Sequence, residues 1–229
     1  MTAALTIVSS MATRALLGEL VARFQHETSQ PVAIESVGGV DAARRVMAGE
    51  AFDVVVLASD AIERLLEAGR LVAGSRVDLV RSGVAIAVRA GASHPDIGSE
   101  AALRDAVLAA ASLGYSTGPS GVQLARLFER WGIADAIASR LVQAPPGVPV
   151  GALVAAGQVE LGFQQLSELM HLPGIDLLGP MPAAVQIVTT FSAALATTSS
   201  QADAVQALLD FMASPATARV KREHGMEPA

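Results

Sequence analysis

Residues 115–121 read YSTGPSG, a turn that brings Ser116, Thr117 and Ser120 together just ahead of VQLARLFERW, whose apolar spacing is helical. A helix start offers unpaired backbone N–H groups and a partial positive charge, so hydroxyls and amides there can hold an anion without any formal cation. Capping the helix would need only one of these hydroxyls. Similar chemistry recurs at Ser9-Ser10, followed by Thr13, at Gly38-Gly39, at Ala58-Ser59-Asp60, in PPGVPVG, and at Gln164-Gln165 after LGF. The candidate ligand-binding residues are therefore Ser9, Ser10, Gly38, Gly39, Tyr115, Ser116, Thr117, Ser120, Gln164 and Gln165. Of the two glutamines at a strand end, alternation sends one amide toward a ligand and the other away. Arg14, Arg44 and Arg45 are the cationic candidates, and Arg44, in the first turns after the glycine pair, could grip a carboxylate with two hydrogen bonds. A solvated helix face is the plainer account of Arg44, as of Arg14 and Arg45.

Other chemistries lack their residues. His26, His94, His171 and His224 are isolated, and no carboxylate cluster offers a metal site, so no metal is expected. No cofactor fingerprint is present: GPSG matches neither a phosphate-binding loop nor the G-x-S-x-G elbow, and Ser120 has no base partner in the sequence. The catalytic residues stay unknown at this point. Tyr115, Glu168 and His171 are the base candidates near the polar turns.

Strands and helices alternate from the start. LTIVSS, VAIESV and FDVVVLAS read as strands; ATRALLGELVARFQHE, VDAARRVMAG and DAIERLLEAG read as helices, the last with Asp60 in or before its first turn and Gly69 as its stop. The series predicts an α/β fold, a parallel sheet with helices on both faces. RVDLVRSGVAIAVRAG is a long extended run with Arg81 and Ser82 in its middle, too polar there for one uninterrupted core strand, and predicts a crossing between lobes. A second α/β series follows, and VQIVTTFSAALAT predicts the return crossing. The expected organisation is lobe 1 at 1–82 and 190–229 and lobe 2 at 83–189, two Rossmann-like lobes joined by a hinge of two crossing segments. A ligand cleft is expected between them, at strand C-termini and helix N-termini.

The bulk numbers narrow the partners. A net charge of −6, with 16 dispersed Lys and Arg, argues against nucleic acid. Mean hydropathy is +0.46, yet no apolar run reaches the 18 or so residues of a membrane span, so no membrane insertion is expected. The chain has no cysteine, which excludes disulfides and thiolate chemistry. MTAALTIVSS enters a strand directly, without the basic and apolar regions of a secretion signal. That gives a cytoplasmic expectation as the sequence stands, and a periplasmic one if a leader has been removed.

Taken together, VSSMATRALLGELVARFQ, ESVGGVDAARRVMAGEAFDVVVLASDAIERLLEAGRL and GALVAAGQVELGFQQLSEL resemble the type II periplasmic binding proteins, in particular the molybdate-binding branch. The resemblance covers nearly the whole chain. It implies an oxyanion or other small anion held by serine hydroxyls and backbone amides between two closing lobes, and a partner permease of the ABC type if the protein is exported. Ser10 matches the first-turn serine of that branch. Gly39 falls near its second serine, and Gln164 or Gln165 stands where it typically has a tyrosine. A glycine thus replaces a hydroxyl and an amide replaces a phenol. Some proteins similar to this branch isomerise small polycarboxylates, aconitate among them. Solute capture is the leading expectation and a cytosolic isomerase using the same cleft is the alternative.

Overall fold

The computed structural model describes residues 3–229. In chain order the elements are β1 (Leu5–Ser10), α1 (Arg14–Thr28), β2 (Val32–Val37), α2 (Gly39–Met47), β3 (Val54–Ala58), α3 (Ser59–Glu67) and β4 (Val77–Arg89). There follow α4 (Glu100–Ala109), β5 (Leu113–Tyr115), α5 (Pro119–Arg130), α6 (Ala134–Ile137), β6 (Leu141–Gln143), α7 (Val150–Ala155), β7 (Leu161–Gln165) and α8 (Leu166–Leu169). The chain continues with β8 (Ile175–Pro180), β9 (Val188–Leu195), α9 (Ala202–Ala213), α10 (Ala218–Glu223) and β10 (Glu227–Pro228). Two compact units result, one of Met1–Arg81 with Thr190–Ala229 and one of Ser82–Thr189.

In the first unit the strand order is β2-β1-β3-β9-β4, with β10 antiparallel to β4. β1 runs parallel to β2 and β3, whereas β9 is antiparallel to β3, so the sheet is mixed rather than wholly parallel as the sequence suggested. β3 is buried along its whole length because both faces are covered. Val54 and Val56 pack with Leu16, Leu17, Leu20 and Phe24 of α1 and with Leu208 and Leu209 of α9. Val55 and Leu57 face the other way, toward Val46 of α2 and Ile62 and Leu65 of α3. α1 ends where Ser29 turns into the left-handed region at φ 60°, and Gly69 does the same after α3 at φ 67°.

The second unit orders its strands β4-β7-β5-β6, with β8 also on β4. β7, β5 and β6 are mutually parallel, while β4 is antiparallel to β7. β4 is one uninterrupted strand despite its polar centre, since Arg81 is exposed and Ser82, although fully buried, has hydrogen-bonding partners described below. The division between the units falls at those two residues. α4 and α5 cover one face through Leu103, Val107, Leu124 and Phe128. α7 lies close on the other face, because β7 carries Gly162, where a Cβ would come within 2.5 Å of Val154 Cγ2. That close approach brings the N-terminus of α7 to the last residues of β7.

Candidate functional site

In the first unit the C-terminal ends of β1 and β2 lie side by side. Ser9 pairs in register with Ser36, and their hydroxyls are 2.8 Å apart with Ser9 fully buried. The next residue faces the opposite side of the sheet. Ser10 is 6% exposed, and its hydroxyl is the buried side-chain polar atom without a hydrogen-bond partner among the described residues. Its carbonyl, by contrast, accepts from Thr13 Oγ1 at 3.1 Å. A buried hydroxyl without a partner costs about 1–3 kcal/mol, so natural proteins seldom retain one without a use. Gly38 caps α2 with no side-chain bond, and Gly39 opens that helix beside Ser10. A Cβ on Gly39 would stand 3.5 Å from Ser10 Cβ, so the glycine keeps the space next to the hydroxyl free of any side chain.

Two of the three candidate arginines are paired with carboxylates. Arg44 is exposed and paired with Asp41 on its own helix, and Arg45 is engaged by Glu35 and Glu50 over the ring of Phe52. Arg14 is exposed. The group shown beside the Ser10 side chain, the head of α2 at Gly39, is neutral.

In the second unit the C-terminal ends of β5, β6 and β7 share one edge, since the three strands are parallel. The turn after β5 holds Ser116, Thr117 and Ser120, with the hydroxyls of Ser116 and Ser120 3.3 Å apart. Gly118 is the N-cap of α5 and Pro119 its first residue, and no side chain caps this helix. The hydroxyls of YSTGPSG are thus not used as caps. Gly121 is obligatory, because a Cβ there would stand 1.9 Å from the carbonyl oxygen of Ser116. Tyr115 ends β5 partly buried, its carbonyl accepting from Ala144 N at 2.9 Å.

The two glutamines of β7 have different occupations. Gln165 turns toward the middle of β4 and the start of β9: its nitrogen donates to Ser82 Oγ at 2.8 Å and to the Ser82 carbonyl at 3.1 Å, and its oxygen accepts from Thr189 Oγ1 at 2.9 Å. Gln164 turns toward α7 and α8. Its oxygen accepts from Gly151 N at 3.3 Å, and its nitrogen donates to Glu168 Oε1 at 2.8 Å. Burial pushes the Glu168 carboxyl up to about 7, only partly opposed by the bond from Gln164. His171, three residues on, is exposed.

Glu168, Gly151 and Ser36 complete these clusters, together with Ser82 and Thr189 beneath Gln165. Sequence reading had Glu168 only as one of three base candidates and missed the other four as partners. Ser82 did carry a signal, as a polar residue inside an otherwise apolar strand. Among the described residues no group of three or more His, Cys, Asp or Glu could hold a metal ion, and no helix is long and apolar enough to cross a membrane.

The sequence profile of the bacterial extracellular solute-binding proteins matches residues 5–227. The chain belongs to that family. The chain is 36% identical over 230 residues to an aconitate isomerase from a Pseudomonas species, covering 98% of this chain and 87% of the relative. Among solved structures it is similar to the periplasmic molybdate-binding protein of Azotobacter vinelandii, with a TM-score of 0.80 at 19% identity over 97% of this chain and 98% of that one. It is likewise similar to the sulfate-binding protein of Mycobacterium tuberculosis H37Rv, with a TM-score of 0.81 at 16% identity over 100% and 88%. At such identities the solved structures speak for the fold, which is that of the type II periplasmic binding proteins.

Proposed function

We propose that this chain takes a small polycarboxylate and isomerises it, as the name of the aconitate isomerase relative says of that protein, and that it does so by moving a proton between two carbons. The relative spans almost the whole chain at an identity well above that of the structural neighbours, and that observation carries the reading. The site chemistry supports it. Hydroxyls and backbone amides suit carboxylates, and neutral donors hold an enolate-like charge as it develops without forming a tight ion pair with the substrate at rest. In this reading Ser10 and the Gly39 backbone in the first unit, and Thr117 and Ser120 in the second, are the donors to substrate carboxylates.

A second reading is favoured by the family match itself: capture of a small anion, carboxylate or tetrahedral oxyanion, for delivery to an ABC permease by an exported protein. Both readings share the binding step and part at turnover. Incubation with cis- and trans-aconitate, followed by proton NMR, separates them, with calorimetric titrations of aconitate, molybdate and sulfate alongside. Interconversion of the two aconitates supports the isomerase. Binding of aconitate without chemical change returns the chain to solute capture, and tight binding of molybdate or sulfate in preference to aconitate defeats the carboxylate reading.

A further inference from the structure

Resting on the isomerase reading, we propose that Glu168 carries the migrating proton and that Gln164 is the residue that positions it. The N–H of Gly151 can only donate, so the Gln164 atom that meets it at 3.3 Å must be the amide oxygen. The amide nitrogen is then committed to the other side, where it meets Glu168 Oε1 at 2.8 Å. Since an amide N–H donates whatever the state of the carboxyl, Oε1 is held as an acceptor in both states. A proton arriving at Glu168 therefore resides on Oε2. One oxygen is anchored and the other is left for chemistry.

The surroundings suit a base that must also act as an acid. Glu168 takes part in none of the ion pairs among the described residues. Burial alone drives its affinity for protons up, Gln164 alone opposes it, and no charged side chain enters that balance. A carboxyl balanced near neutrality is ionised often enough to abstract a proton and basic enough to hold it. It stands at the edge where β5, β6 and β7 end, the same edge that bears the hydroxyls after β5. The other two candidates are placed less well: His171 is exposed, and no hydrogen bond fixes the Tyr115 hydroxyl among those described.

The step balances without a co-reactant. The Glu168 carboxylate removes a proton from the methylene carbon that lies between a carboxylate and the alkene. The electron pair of that C–H bond becomes the new carbon–carbon double bond, and the old double bond's pair moves to the far carbon. Glu168 Oε2–H then returns its proton to that far carbon and is a carboxylate again. The two carbons are separated by a single atom, so one carboxyl can serve both.

The test uses the full chain, trans-aconitate as probe, and three proteins: wild type, Glu168→Gln and Gln164→Met. Glu168→Gln keeps an acceptor oxygen for Gln164, and we expect binding within about threefold of wild type with turnover lowered by about 100-fold or more. Gln164→Met removes the donor, so the acid limb of the kcat/KM profile, expected at about 7 in wild type, should move to higher pH while KM changes little. A merely structural glutamine would lower activity without moving that limb, and an unmoved limb overturns its positioning role. Should Glu168→Gln fail to fold, the wild-type profile still decides: a rate independent of pH through the neutral range excludes Glu168. An active wild type whose Glu168→Gln variant keeps its rate overturns the inference alone. A wild type that binds aconitate without turnover overturns it together with the isomerase reading, and the two failures are told apart by the wild type.

Discussion

Replacing Ser10 with alanine separates a binding hydroxyl from a structural one, because the two roles move stability and affinity in opposite ways. In the free protein the Ser10 hydroxyl is buried and has no partner among the described residues. Its desolvation, about 1–3 kcal/mol, is a standing cost that alanine removes, against which only a few dispersion contacts of one oxygen are lost. Each kcal/mol recovered raises the melting temperature of a chain this size by about 2–4 °C. In the complex the same hydroxyl would donate to an ionised carboxylate, and losing such a bond costs about 1.5–3 kcal/mol. That corresponds to Kd weakened by about 10- to 150-fold. Differential scanning fluorimetry without ligand and calorimetry with trans-aconitate read the two quantities on one preparation. The expected pattern is a melting temperature unchanged or higher with a much weaker Kd. A melting temperature several degrees lower with Kd unchanged would show that the hydroxyl serves the fold, and the site in the first unit would then be refuted.

Three further substitutions have outcomes set by local geometry. Gln165→Leu should leave Ser82 and Thr189 buried without their amide partner and cost about 1–3 kcal/mol of stability, with the folded protein's ligand affinity within about threefold of wild type; chemical denaturation and calorimetry check this. Gly121→Ala drives a methyl group into the Ser116 carbonyl, so it should destabilise by about 1–3 kcal/mol and weaken binding as the turn is displaced, measured by the same pair of experiments. Asp53 concerns pH: burial raises its carboxyl, but bonds from Ser199, from the backbone and hydroxyl of Thr6 and from Gln201 together hold it below its ordinary 3.8. A depressed folded-state value means that its stabilisation is complete above about 3.8 and is lost as pH falls through the lower folded value, so Asp53→Asn should flatten the acid side of the stability curve while lowering stability at neutral pH.

What the sequence discloses follows from how local each cause is. The alternation of apolar runs with amphipathic stretches is local, so β1, α1, β3 and the helix stop at Gly69 follow from spacing and turn chemistry, whereas the stop at Ser29, a non-glycine residue at positive φ, does not. Strand direction leaves no such trace: VQIVTTFSAALAT reads the same whether it lies parallel or antiparallel to β3, and it lies antiparallel. The donors of the site show the same divide. Ser9 and Ser10 are adjacent and chemically identical, and sequence could treat them only as a pair. Alternation along β1 sends them to opposite faces of the sheet. Register with β2 then gives Ser9 a partner 27 residues away, while a glycine at the head of α2 stands beside Ser10 and offers its hydroxyl nothing to bond. The glutamines repeat the pattern in β7. Thr189 and Ser82 occupy Gln165, and a backbone N–H from another helix sets which way Gln164 faces. Residue type marks where polar chemistry collects. Register and packing decide which of those polar atoms is already spent on the fold and which is left unpaired.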